Sequence, residues 1–163
     1  DGIVEYLGLK FENGDIKQCK TQKLKLIEPD EEELELPDVK FSSIITLPSS
    51  DFQKIIRDLS NISERLEIKS VGEELIFECN GSWASAKITR SECDGNMEFT
   101  QKPDNSNVIQ GEFSLKNLGY FIKCTNLCQS IEIFLENDLP LIVRYAVASL
   151  GEIKLCLAPL PSS

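Results

Sequence analysis

The chain has 163 residues, of which 41% are hydrophobic and 27% charged, enough to bury one substantial core and too apolar for a disordered segment. Seventeen basic residues face 27 acidic ones, and the net charge of −10 argues against an all-over basic grip on nucleic acid. Histidine is absent, which excludes Ser-His-Asp and Cys-His nucleophile systems, His-ligated zinc and histidine proton shuttles.

In chain order, residues 3–11 (IVEYLGLKF) and 16–27 (IKQCKTQKLKLI) flank Glu12-Asn13-Gly14-Asp15. They are predicted to pair as a hairpin, with Asn13-Gly14 supplying the positive φ angles of a tight turn. A two-stranded hairpin alone is marginal, so this opening reads as the end of something larger. Residues 28–38 hold seven acids, two prolines and no base. Self-repulsion keeps such a stretch extended, and it is predicted to be a linker. Outside it, 17 basic residues face 20 acidic ones, a net of only −3. Leu34 and Leu36 share one side of the linker and need an apolar surface, either on the chain's own sheet or on a partner.

Beyond the linker the pattern repeats. A strand at 41–47, a helix at 50–61 and strands at 66–70, 74–79 and 83–90 lead into a polar loop or hairpin at 91–106. A strand at 107–113, a helix at 114–124 and strands at 131–135, 140–147 and 152–158 follow. The two β-α-β-β-β runs are offset by about 66 residues, which predicts a pseudo-symmetric α+β domain with two helices on one face and antiparallel sheets on the other.

The helices carry the informative chemistry. Ser49 is placed to cap the first, and Asp51 falls in its first turn. At roughly 100° per residue, Phe52, Ile55, Ile56, Leu59 and Ile62 share one apolar face while Lys54, Arg57 and Asn61 share the opposite one. In the second helix Leu115, Leu118 and Ile122 form the apolar stripe, and Lys116 and Lys123 share the exposed face. An ordinary solvated face accounts for either helix alone. The pair, in an acidic chain, points to a shallow positive surface that touches phosphates without reading bases, since no aromatic stacking platform accompanies it.

Six cysteines stand at 19, 79, 93, 124, 128 and 156, none in a CxxC pair. Cys124 and Cys128 have no second pair to complete a tetrahedral site, so neither a metal nor a cofactor is expected. Free, mostly buried thiols in a reducing compartment are the expectation. No apolar run is long enough for a membrane helix and Asp1-Gly2-Ile3 does not open a signal peptide, so a soluble intracellular protein is expected.

Several segments resemble one family in order and spacing. Leu47-Pro48-Ser49-Ser50-Asp51-Phe52 followed by Ile56-Arg57-Asp58-Leu59-Ser60 is similar to the opening of the second domain of the eukaryotic sliding clamp, proliferating cell nuclear antigen. Leu139 to Tyr145 and Ile153 to Pro159 resemble its closing strands. Lys25-Leu26 through Leu34-Glu35-Leu36-Pro37 resembles its interdomain connector, and Tyr6 to Glu12 the last hairpin of its first domain.

The resemblance implies a DNA-clamp fold. Residues 1–27 would be the last hairpin of an otherwise missing first clamp domain, 28–40 the acidic connector and 41–163 the second domain. The chain would then be a fragment, or a natural short relative completed by another chain. The implied function is a non-enzymatic DNA polymerase processivity factor in replication and repair, a homotrimeric ring around double-stranded DNA. Its partners would be DNA polymerase, a clamp loader and clients with QxxLxxFF-type motifs, in the nucleus or at a cytoplasmic or viral replication site. Carried over by position, Lys54, Arg57, Asn61, Lys116 and Lys123 face DNA. Leu34, Leu36, Pro140, Cys156, Leu157, Ala158 and Pro159 form the client pocket, with Cys156 where the family commonly has tyrosine and Glu35 at a usual glycine. Lys20, Gln22, Trp83, Ser85, Lys87, Ile88 and Arg90 lie on edge strands that join subunits; a solvated edge, or core positions for Trp83 and Ile88, is the plainer reading. A checkpoint-type hetero-clamp subunit and a peptide-binding β module without DNA are the alternatives.

Overall fold

A computed structural model describes residues 5–27, 39–104 and 107–161, in two units, 1–38 and 39–163. In the first unit β1 (Tyr6–Asn13) pairs antiparallel with β2 (Gln18–Lys25). The turn differs from the Asn-Gly expectation. Four residues separate the strands, and the positive φ falls on Lys17. Asn13 acts through its side chain instead, its Oδ1 accepting the Asp15 N–H at 3.0 Å, as Asn does when it starts a turn. The described residues stop short of the acidic linker, so Leu34 and Leu36 lie outside them.

The second unit runs β3 (Ser43–Pro48), α1 (Ser49–Ser60), β4 (Arg65–Val71), β5 (Glu74–Asn80), β6 (Ser85–Ser91) and β7 (Glu98–Gln101). Then come β8 (Val108–Ser114), α2 (Leu115–Phe121), a 3-10 turn at Ile122–Leu127, β9 (Ser130–Leu135), β10 (Leu141–Val147) and β11 (Gly151–Leu157). The repeat is present, and its halves exchange their first strands. β3 pairs with β9 in a sheet ordered β11-β10-β9-β3-β7, and β8 pairs with β4 in a sheet ordered β6-β5-β4-β8. Neither half can therefore complete its sheet without the other. This α+β architecture leaves both helices on the same core.

Alternation builds that core. Ile45 and Leu47, Leu66 and Ile68, Ile131 and Ile133, and Leu141, Val143 and Tyr145 are all buried at every second position of their strands. Phe52, Ile55, Ile56 and Leu59 of α1 and Leu115, Leu118 and Phe121 of α2 pack into the same cluster. Ser43 and Ser70 are polar residues at two of these inward positions, and their hydroxyls bond each other at 2.7 Å between the two sheets. Ser43→Ala is expected to cost about 1–2 kcal/mol because it strands the Ser70 hydroxyl. Adding Ser70→Ala is expected to cost less than the sum of the single changes, which denaturant unfolding of the double-mutant cycle measures.

Three sequence expectations are corrected. Ser49 does not cap α1: Pro48 holds the N-cap position, and Ser49 is the first helical residue. Its buried hydroxyl donates toward the Cys128 carbonyl at 2.6 Å, stitching α1 to the chain beyond the 3-10 turn. Ser114 does cap α2, accepting the Asn117 N–H. The second helix is α-helical only to Phe121 and tightens into 3-10 geometry. Tyr145, fully buried, fixes that junction by donating to the Phe121 carbonyl at 3.0 Å; burial pushes its phenol pKa up, so it remains a donor. Finally, the polar stretch 91–106 contributes β7, which pairs with β3 across a bulge, and Met97, which is wholly buried.

Candidate nucleic-acid interface and partner surfaces

The exposed side of the helical layer is built by the same periodicity that buries its other side. Lys54 and Arg57 are exposed on α1, whose buried residues are Ser49, Phe52, Ile55, Ile56 and Leu59. Asn61 follows as the C-cap, and one of its side-chain donors turns back to the Arg57 carbonyl at 3.1 Å. Lys116 is exposed on α2 and Lys123 on the 3-10 turn. Seven steps of mixed α and 3-10 geometry still bring those two within about 20° of each other. The helical segments are neighbours, with Gln53 Nε2 of α1 donating to the Ile122 carbonyl at 3.3 Å.

Ion pairing distinguishes the helical cations from several cations of the second unit's strands. Among the described residues Arg65 pairs with Glu112 (2.6 Å), Lys69 with Glu67 (2.9 Å), Lys102 with Glu73 (3.0 Å) and Lys154 with Glu152 (3.0 Å). Arg144 sits between Glu132 and Glu152. Lys54, Arg57, Lys116 and Lys123 enter no ion pair among the described residues. Arg65, Lys69, Arg144 and Lys154 are thus neutralised on their strands, while the four helical-layer cations, like Lys87 on β6, keep their charge for an external anion.

The residues expected to line a client pocket are divided by strand register. Cys156 falls on the outer face of the five-stranded sheet, opposite Ile142, which in turn stands opposite Phe134, whereas Pro140 and Ala158 lie one residue outside β10 and β11. Leu157 stands opposite buried Leu141 and packs against the core, so it does not share that face. Alternation along β11 decides this, since adjacent strand residues point to opposite sides. Pro159 lies past the end of β11 and is half-buried. Sequence reasoning missed Ile44, which the register places beside Phe134, and Phe41, whose ring meets Phe134 edge-on at 5.6 Å. The available signal was a single large apolar residue at an outward position of each strand, Ile44 in β3, Phe134 in β9 and Ile142 in β10. Partial burial pushes the Cys156 thiol up, only partly offset by Lys154, so it stays protonated at neutral pH.

The expected joining strands lie at sheet edges. β6 is the last strand of its four-stranded sheet, and β2 pairs with β1 alone among the described residues. Ser85 and Lys87 are exposed on β6. Ile88 packs on the core, as the plainer reading had it, and Arg90 is committed to Asp51 of α1 at 2.9 Å and to Asn96. Trp83 is 72% exposed, neither core nor part of β6, which begins two residues later. On β2, Lys20 and Gln22 stand opposite Phe11 and Leu9.

Comparison with known proteins gives this geometry a family. "Probable DNA polymerase sliding clamp" of Acanthamoeba polyphaga mimivirus is 36% identical over 155 residues, covering 95% of this chain and 32% of that protein. "Probable DNA polymerase sliding clamp 1" of Paramecium bursaria Chlorella virus 1 is 37% identical over 143 residues, covering 85% of this chain and 53% of that protein. The chain therefore spans no more than 53% of the length of either relative. Residues 35–160 match the family described as proliferating cell nuclear antigen, C-terminal domain, a span that contains both helices and β3 through β11. On that match, which covers most of its length, the chain belongs to the proliferating cell nuclear antigen C-terminal domain family.

Proposed function

We propose that this chain supplies the second domain of a sliding clamp, a DNA polymerase processivity factor that encircles duplex DNA. The observation that carries this reading is the set of four exposed cations on the helical layer, without ion-pair partners among the described residues, in a chain whose net charge is −10. A closed ring cannot leave DNA sideways, so its phosphate contacts need only be weak and indifferent to sequence. An acidic chain with a basic helical face fits that task, because its net charge disfavours indiscriminate binding while the four helix cations offer phosphates a local site. The role requires no chemistry of the chain's own; it is a collar and a platform.

In the same reading residues 1–27 are the last hairpin of a preceding clamp domain and residues 28–40 connect the two. The edges of β6 and β2 join subunits by strand addition, in which backbone groups give the affinity. The outer face that carries Ile142 and Cys156 receives client motifs, and the resemblance assigns Leu34 and Leu36 of the connector to the same role. Such a protein works wherever DNA is replicated, whether nucleus or viral replication site.

The test is a titration of the chain with random-sequence duplex DNA, followed residue by residue by NMR. Shifts are expected on α1, α2 and the 3-10 turn, equal for unrelated sequences. Four phosphate contacts predict a slope of log K against log salt of about −3.6. Shifts confined to other surfaces, or a slope near zero, would remove the DNA reading and leave the peptide-binding module.

A further inference from the structure

The exposed face of the second helical segment holds one aromatic ring that the charge pattern does not explain. Lys116, Tyr120 and Lys123 stand at i, i+4 and i+7, a single stripe on the side away from buried Leu115, Leu118 and Phe121. Tyr120 is 56% exposed, although the apolar stripe beside it shows that the helix has room to bury rings. The Lys123 ammonium lies over the Tyr120 ring, 5.0 Å from its centre. Among the described residues the Tyr120 hydroxyl has no hydrogen-bond partner on the protein, whereas the hydroxyl of buried Tyr145 has one.

We infer that Tyr120 is a further DNA-contact residue of the clamp face, with two roles: its ring positions the Lys123 cation, and its hydroxyl donates a neutral hydrogen bond to a backbone phosphate. This rests on the DNA reading above. A lysine on a flexible stem must be ordered before it can grip, and an aromatic face under the ammonium limits that disorder without removing the charge. A phenol donor adds a contact that displaces no counterion, so it binds phosphate without steepening the salt dependence. The occupied ring is thus a cation rest and not a stacking platform for bases.

Tyr120→Phe and Tyr120→Leu separate the two roles, each measured by duplex titration over a range of salt and by the ring-current shift of the Lys123 ε-methylene protons. Tyr120→Phe is expected to bind about twofold more weakly with an unchanged salt slope and a retained ring-current shift. Tyr120→Leu is expected to bind about fivefold more weakly and to lose that shift. Position 120 is exposed, so the folding of both variants is expected to be unaffected, which circular dichroism checks. Wild-type affinity in both variants would overturn this inference while the DNA reading stands, provided reversal of Lys54 and Arg57 still weakens binding. If the wild-type chain itself shows no helix-face response to duplex DNA, both fall together.

Discussion

Reversing two helix cations at once, Lys54→Glu with Arg57→Glu, is expected to weaken duplex binding about a hundredfold at low salt, or about 2.8 kcal/mol, without disturbing the fold. Both residues are exposed on α1 one turn apart and neither has an ion-pair partner among the described residues. Their removal therefore strands no buried charge and breaks no local bridge. Stability is expected to move by less than about 0.5 kcal/mol, the usual range for exposed sites. Binding loses two of four counterion-releasing contacts and gains two repulsive charges facing phosphate, so the salt slope should fall to about half its wild-type magnitude. Fluorescence anisotropy with labelled duplex at several salt concentrations measures both quantities. Unchanged affinity would mean that α1 does not face DNA. A matched reversal of paired Lys69 and Lys102 on the sheets should leave binding near wild type, because those charges are already neutralised by Glu67 and Glu73.

The contrast between helices and sheets also explains what the sequence made legible. Each helix announced both of its faces, because a 3.6-residue period fixes which side is buried and which is wet. Phe52, Ile55, Ile56 and Leu59 are buried, and Lys54 and Arg57 exposed, as that period requires. The repeat was equally plain in the succession of elements. The exchange of β3 and β8 between halves was not, since strand order depends on pairings between residues far apart, such as Ile45 with Ile133. No local pattern encodes which sheet a strand joins.

Strand faces were read less well for a related reason. Cys156, Leu157 and Ala158 are consecutive, and assigning all three to one pocket ignored the two-residue alternation that sends Leu157 inward. Trp83 was placed on an edge strand or in the core, whereas the β5–β6 turn sets it in solvent. β7 was lost among polar neighbours, although Met97 and Phe99 stand two apart as inward strand residues do. Ser49 was misjudged because Ser before an acidic first turn is a good capping signal. Its hydroxyl was claimed by the Cys128 carbonyl, 79 residues away in sequence. For Ser49 a long-range partner thus overrode a sound local preference.

The same dependence on distant backbone makes Gly81→Ala the most damaging small change expected in the second unit. Gly81 follows β5 in the turn to β6, and its N–H bonds the Ala84 carbonyl at 2.8 Å. Just beyond α1, the Ile62 carbonyl comes so close that a Cβ on residue 81 would stand 1.9 Å from its oxygen and 2.9 Å from its carbon. Both obstacles are backbone, so no side-chain rotation relieves the clash. Either the turn or the end of α1 must move, and the Ser63 hydroxyl bond to the Asn80 carbonyl (3.0 Å) is strained with them. A cost of about 3 kcal/mol is expected, as for severe overpacking. Gly119→Ala is the internal control. A Cβ there meets nothing within 4 Å, and Gly119 lies inside α2, where alanine is the better helix former. That change is expected to add about 0.5–1 kcal/mol. Chemical denaturation of the two variants should therefore give opposite signs. Because the displaced turn leads directly into β6 and the displaced helix end carries Arg57 and Asn61, Gly81→Ala should also perturb edge pairing and duplex binding. Gly119→Ala should leave both unchanged. A Gly81→Ala protein as stable as wild type would show that the approach of the α1 end to the β5–β6 turn does not hold this region of the fold.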